Sequence, residues 1–490
     1  MGTSSTEKQQ SDSFRLFLAQ TALKLGTIAG AWRVTLPAIE VVAHSLTIAN
    51  HKSEIQDGSR RQREDKFYMI FNVVRMALKA YERGSPAVKD IILNLFLKEF
   101  LDPSNAEKKE LFRGTYGVNP PGFMTISPEG TCNLHCKDCY AASVSTNLPR
   151  LNAETLTRIL HDKREQWASW FTVISGGEPF TWHDNGKDLI DIASENRNQF
   201  FMVYTNGTLI DTTAAQRMAE TGNISPAISV EGFEQETDER RGKGTYRKIL
   251  DAFENLEKAG VPYGISITAN ASNVRNLFTD NMINFYFKKH SALFEWVFQY
   301  MPIGRGADVQ AQVPPDIRKE IWFREQELIR KERLLVADFW NGGLYSSGCI
   351  AGGREDGYLY IDWSGNIYPC VFIPYWKDNI HKIYSQNQSL SDALFSDLFT
   401  GIRQWQKEYS FRKPVVEKGN EIRPCFFRDH HDTARSHFCQ CNATPGNQSA
   451  ALCLNDEEYH AAMRKYDQDF AKLVDPVWDE LYKDGNDTAK

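Results

Sequence analysis

The stretch FMTISPEGTCNLHCKDCY, Phe123–Tyr140, runs a short β-type segment straight into a loop carrying three cysteines within eight positions. Cys132, Cys136 and Cys139 are spaced C-x3-C-x2-C. On a tight loop leaving a strand, offsets of four and three turn the thiols toward a common centre, as an iron–sulfur cluster requires. Zinc is the alternative, but a closed zinc site needs a fourth Cys or His nearby, and His135 is the one within the loop.

Downstream, WFTVIS, FFMVYTN, SPAISVE, YGISITA and FEWVFQYMP are further short β-rich runs. They alternate with helical stretches such as AETLTRILHDKREQW, KDLIDIASENR, TYRKILDAFENLEKAG and NLFTDNMINFYF, and PPDIRKEIWFREQELIRKER closes the last repeat. Six strand–helix repeats predict an α/β fold with parallel strands and crossover helices, a partial (β/α)6 barrel rather than a flat open sheet. In such a barrel the chemistry sits at the C-terminal strand ends, where the cysteine loop lies. After Arg333 the alternation is lost, and GYLYIDWSGNIYPCVF reads as a hairpin turned at SGN.

Upstream, residues 13–101 read as helices, in FRLFLAQTALKL, FYMIFNVVRMALKAY and VKDIILNLFLKEFL, with RRQREDK as a charged linker. Their apolar stripes predict a buried face; a membrane surface or a greasy substrate channel is the other use of so much Phe, Leu and Ile. The expected organisation is a helical region over 1–118, a barrel core over 119–335, a cysteine-rich domain over 336–455 and a charged surface helix over 456–490.

The 490-residue chain, 41% apolar and 24% charged, has the composition of a globular protein of two or three folded units. Its formal charge of −6 comes without a sustained Lys/Arg block, which argues against nucleic acid as a partner. No secretory signal is visible and no run approaches the ~20 apolar residues of a membrane span, so the expected location is cytoplasmic, with peripheral membrane contact through the N-terminal helices as the variant. MGTSST fits the loose myristoylation pattern. Nine cysteines in a reducing compartment point to metal binding or catalysis rather than disulfides.

The cysteine spacing and several later motifs together resemble the radical S-adenosylmethionine (radical SAM) superfamily. In that family three cysteines hold three irons of a [4Fe-4S] cluster, and the amino and carboxylate groups of SAM bind the fourth. The resemblance implies that SGGEP, with Gly176, Gly177, Glu178 and Pro179, supports the SAM amino group, and that Thr205 and Asn206 of YTNGT contact SAM. Ser229 and Glu231 of ISVEG stand where the family has S-x-D-G, with Glu in place of Asp. TDERRGKGTY supplies the arginine for the SAM carboxylate, Arg241 by alignment and Arg240 as second choice, and Met301 and Ile303 of MPIG fall on the adenine side. The residue before the third cysteine, commonly aromatic in the family, is Asp138, so Tyr140 is the candidate to cover the adenine. The resemblance covers Phe123 to Arg305. It implies one-electron reduction of the sulfonium, with a donor such as flavodoxin or ferredoxin, and a 5′-deoxyadenosyl radical that takes hydrogen from an unactivated C–H.

Cys349 and Cys370, spaced C-x15-G-x4-C around Gly365, are similar to the opening of the SPASM and twitch extensions, which hold auxiliary [4Fe-4S] clusters. The continuation departs from that pattern at Cys425, Cys439, Cys441 and Cys453. One auxiliary cluster on Cys349, Cys370 and Cys425 is expected. Its fourth thiolate comes from Cys439, Cys441 or Cys453, with His430 and His431 as substitutes, while Cys453 also reads as a buried small apolar residue.

The leading expectation is hydrogen abstraction from a hydrophobic metabolite or lipid-like substrate. The alternative is a maturase that modifies a ribosomally made peptide, although the helical N-terminal region does not read as a winged-helix peptide-recognition domain. A non-catalytic iron–sulfur electron carrier or binding protein is the reading from another class; Glu178 and Arg241 argue against it, because a scaffold needs no clamp for SAM. No D-x-H-x-x-G pattern for cobalamin is present.

Overall fold

The computed structural model describes residues 32–49, 58–145 and 148–483. FRLFLAQTALKL and MGTSST lie outside them. Four helices precede the sheet: α1 (Trp32–Ala49), α2 (Arg60–Arg83), α3 (Pro86–Leu101) and α4 (Pro103–Tyr116). RRQREDK is not a linker but the first turns of α2, started by a capping box between Ser59 and Gln62. Its charges serve tertiary contacts. Buried Asp65 accepts from the Tyr482 hydroxyl at 2.7 Å and pairs with Arg330, and the Gln62 amide donates to buried Glu421 at 2.7 Å.

Part of the apolar stripes of α2 and α3 is core. Ala80, Val88 and Ile92 pack on Val173, Met202, Ala227 and Phe294, sealing one end of the sheet. A different face stays open, with Val34 81% and Val41 67% exposed on α1. No helix among the described residues is long and apolar enough to cross a membrane.

Six strands run parallel in chain order: β1 (Phe123–Glu129), β2 (Phe171–Gly176), β3 (Phe200–Thr205), β4 (Ile224–Val230), β5 (Gly264–Ala269) and β6 (Glu295–Gln299). Crossover helices α5 (Ala153–Trp167), α6 (Leu189–Glu195), α7 (Thr212–Thr221), α8 (Glu234–Arg241), α9 (Thr245–Ala259) and α10 (Pro315–Arg330) accompany them. Side chains that leave the backbone free to start a helix cap several of these: Asn152 accepts from Thr155 N, Asp188 from Asp191 N and Asp211 from Ala214 N.

The alternation does not end at Arg333. β7 (Val336–Asp338) adds a seventh parallel strand beside β6. The expected hairpin forms from β8 (Tyr358–Ile361) and β9 (Asn366–Tyr368), turned at Gly365 with φ +81°, but it is no separate layer. β8 pairs in parallel with β1, and β10 (Asp378–Asn379) follows β9, giving one ten-stranded sheet. The physical reason is β1 itself: its free side would be an exposed edge of Phe123–Ile126, and β8 covers it. Phe123 and Tyr358 stack there at 5.1 Å. The C-terminal helix, α11 (Glu457–Trp478), is likewise more than a surface helix. It buries Tyr459, Met463, Tyr466, Phe470, Val474 and Trp478, and packs beside α10.

Candidate active site

The cysteine loop leaves β1 and is held from three sides. From β2, Gly177 N donates to Glu129 O at 2.9 Å and Glu178 N to Thr131 O at 2.9 Å. That contact explains the glycine pair: a Cβ on Gly177 would stand 2.1 Å from Thr131 O, and one on Gly176 (φ +118°) 2.5 Å from Glu129 O. The sequence assigned these glycines to close approach of a ligand; the structure shows them admitting the cysteine loop as well as lining the cavity beside it. From beyond β6, Gly304 crosses the loop at Cys139 and Tyr140, and Arg305 clamps it, its N donating to Cys139 O at 2.9 Å and its Nη1 to Cys136 O at 2.6 Å. From β3, the Asn206 amide meets Asn133 Oδ1 at 2.8 Å and lies 3.9 Å from Cys132 Sγ.

Cys132, Cys136 and Cys139 line one cavity of about 270 Å³ inside the barrel mouth, with Tyr140, Gly176, Gly177, Thr205, Asn206, Ser229, Arg240, Arg241 and Met301. Burial pushes the Cys132 thiol up to about 12, and the neighbouring thiols add to that rise. Among the described residues no three His, Cys, Asp or Glu side chains close on one metal ion, and His135 is exposed. Three thiols lining one cavity suit a cluster several atoms wide.

Glu178 and Glu231 stand behind the wall rather than in it. The buried Glu178 carboxylate accepts from Thr205 Oγ1 at 2.7 Å and Asn206 N at 2.8 Å, fixing the β3 turn, while burial raises its pKa. Glu231 Oε1 receives Arg241 at 2.6 and 2.9 Å and also Arg240, so one carboxylate aims two guanidiniums into the cavity. Burial works against the charge of Arg241, yet Glu231 and the thiols of Cys136 and Cys139 outweigh it and raise its pKa. Pro179 and Ile303 are buried outside the cavity wall. Tyr140 shares a 2.6 Å hydrogen bond with Ser175, which pins its ring in the wall, and burial pushes its phenol up to about 12. Arg305 and the wall residues Arg240 and Gln299 went unassigned or underrated in the sequence; the only signal was a basic residue beside glycine in MPIGRG and a doubled arginine in ERRG.

A second cavity, of about 330 Å³, is lined by Cys349, Cys370 and Cys425. Burial pushes the Cys425 thiol up to about 12 and raises that of Cys370. The Cys425 turn is locked by Asp429, which accepts from Cys425 N at 3.1 Å and binds buried Arg318 at 2.5 and 3.0 Å. Burial opposes the Asp429 charge, but Arg318 holds its pKa down at about 2. The structure does not bring the other thiols here. Cys439 is exposed at a helix end, Cys441 is buried with its sulfur against Phe438 O at 3.6 Å, and Cys453 packs in the apolar core. His431 spends its ring nitrogens on His460 at 2.7 Å and Phe427 O at 3.1 Å, and His430 contacts Arg423 O at 3.2 Å.

Three thiols and two guanidiniums lining one cavity at the mouth of a parallel barrel have the chemistry to hold an iron–sulfur cluster beside an anionic group. Residues 126–272 match the family model described as Radical SAM superfamily. The chain is 27% identical to the mycofactocin maturase MftC of Mycolicibacterium smegmatis, over 65% of this chain and 78% of that protein. It is 25% identical to the AdoMet-dependent heme synthase of Methanosarcina barkeri, over 54% and 81%. It is 28% identical to the sporulation killing factor maturation protein SkfB of Bacillus subtilis, over 31% and 37%. Residues 126–272 are a radical SAM domain, and the protein is a radical SAM enzyme whose cofactors are a [4Fe-4S] cluster and SAM.

Proposed function

We propose that this enzyme modifies a peptide, using the barrel cavity as the site of hydrogen abstraction. The cavity carries the class: it joins the three thiols and the Arg240–Arg241 pair to a far wall of Tyr204, Trp296, Phe298, Phe339 and Phe372. When bound, the cluster and SAM supply one-electron chemistry that ends in removal of hydrogen from a C–H. The chain's own residues do the rest. Cys132, Cys136 and Cys139 would hold the cluster, Arg241 and Arg240 would face the SAM carboxylate, and Asn206, Ser229 and Met301 would fix the nucleoside. The aromatic wall excludes water and keeps the substrate carbon in one place.

Peptide as substrate is supported by two relatives named for maturation. The hydrophobic metabolite expected first is the weaker reading, because Ala80 of α2 and Val88 and Ile92 of α3 are spent on packing against the sheet. Cys349, Cys370 and Cys425 would hold an auxiliary cluster. The deciding experiment incubates the reduced enzyme and SAM separately with deuterated peptide, lipid and tetrapyrrole fractions. Deuterium in 5′-deoxyadenosine from the peptide arm is the expected result; transfer from only the lipid or tetrapyrrole arm would overturn the peptide reading.

A further inference from the structure

The two cavities share four wall residues, Trp296, Phe339, Ile350 and Phe372, and so lie on either side of one wall. A polar group joins that wall to a cysteine of the second cavity. Tyr358, on β8, lines the barrel cavity, its ring stacked on Phe123 and met edge-on by Phe339 at 6.2 Å. Its hydroxyl oxygen accepts from Val371 N at 3.1 Å, which leaves its single proton for Cys370 Sγ at 3.0 Å. Phe372 N donates to the same sulfur at 3.4 Å.

Packing does not demand that hydroxyl, since a phenylalanine would fill the same wall. A neutral thiol is a weak acceptor, whereas a metal-bound thiolate receives charge-assisted hydrogen bonds. Two donors converging on one buried sulfur therefore suit Cys370 as a thiolate ligand. Reduction of a cluster adds negative charge to its sulfurs, so a donor at that position favours the reduced state and raises the potential.

We infer that Tyr358 is a positioning residue which, through its hydrogen bond to Cys370, sets the reduction potential of the auxiliary cluster from the wall of the substrate cavity. The inference rests on the auxiliary-cluster reading above. The test is a redox titration, followed by EPR, of anaerobically purified and reconstituted wild type, Tyr358→Phe and Tyr358→His, with iron and sulfide counted per chain. Tyr358→Phe should keep its iron and lower the auxiliary midpoint by the equivalent of about tenfold in the reduction equilibrium, ~59 mV for one electron, with the barrel cluster unmoved. Tyr358→His, which retains a ring donor, should bring the midpoint back toward wild type. Full iron in Tyr358→Phe with an unmoved midpoint overturns the inference and leaves the auxiliary cluster standing. Loss of auxiliary iron from both variants also overturns it, by making the role purely structural. Iron for one cluster only in wild type removes both readings.

Discussion

A Cβ on Gly177 would meet the backbone of Thr131 and Gly130 at 2.1–2.8 Å, and backbone cannot swing aside as a side chain can. Gly177→Ala must therefore push the cysteine loop off the end of β2. We expect it to cost about 1–3 kcal/mol, the range for overpacking, and to leave the barrel cluster largely unassembled, read as iron per chain and thermal unfolding. Gly114→Ala is the control: its site in α4 has nothing within 4 Å, and the exchange should stabilise by about 0.4–1 kcal/mol with iron unchanged. At this scale the cysteines and the glycine pair were legible because their chemistry is local. Arg305 was not, since its partners Cys136 and Ser143 lie more than 160 positions away and no periodicity marks it.

At the scale of elements, the interface between β6 and α10 carries a cost of its own. Glu295 is buried with Oε1 unpartnered, near Glu325 of α10 and Tyr286, and burial pushes its carboxyl up to about 8 from an ordinary 4.5. Because the folded state holds this proton more tightly than the unfolded chain, the stability it contributes is complete below 4.5 and is lost as pH rises to about 8. The slope is about 1.4 kcal/mol per pH unit for one such group. Glu325, raised by burial and then by Asp338, pulls in the same direction. Glu295→Gln should thus flatten the fall in unfolding free energy between pH 5 and 8 by about half; an unchanged slope would place the proton elsewhere. Strand and helix alternation showed where these elements lie, but not that β8 would join β1 or that RRQREDK would begin α2. Both depend on partners far along the chain: an uncovered strand edge in one case and buried Asp65 in the other.

The whole molecule places two sets of three cysteines against one sheet. Cys132, Cys136 and Cys139 sit at the C-terminal end of β1, while Cys349, Cys370 and Cys425 gather around the hairpin and the turn held by Arg318 and Asp429. Each set lines its own cavity and is fixed by its own hydrogen bonds, so the two should fill and empty independently. Replacing Cys132 or Cys139 by serine should abolish reductive SAM cleavage and remove about one cluster's iron, leaving the other signal in place. Replacing Cys349, Cys370 or Cys425 should remove the second share of iron yet leave SAM cleavage in the absence of substrate within a few-fold of wild type. Cys439→Ser and Cys441→Ser should change neither, because an exposed helix end and a sulfur packed on Phe438 O lie outside both cavities. Iron and sulfide analysis with EPR of the eight single variants and wild type, read beside 5′-deoxyadenosine yield, separates these outcomes; Cys453→Ser completes the set. Loss of auxiliary iron in Cys439→Ser or Cys441→Ser would show that the C-terminal turns rearrange when the metal arrives, drawing a fourth thiolate across to Cys425.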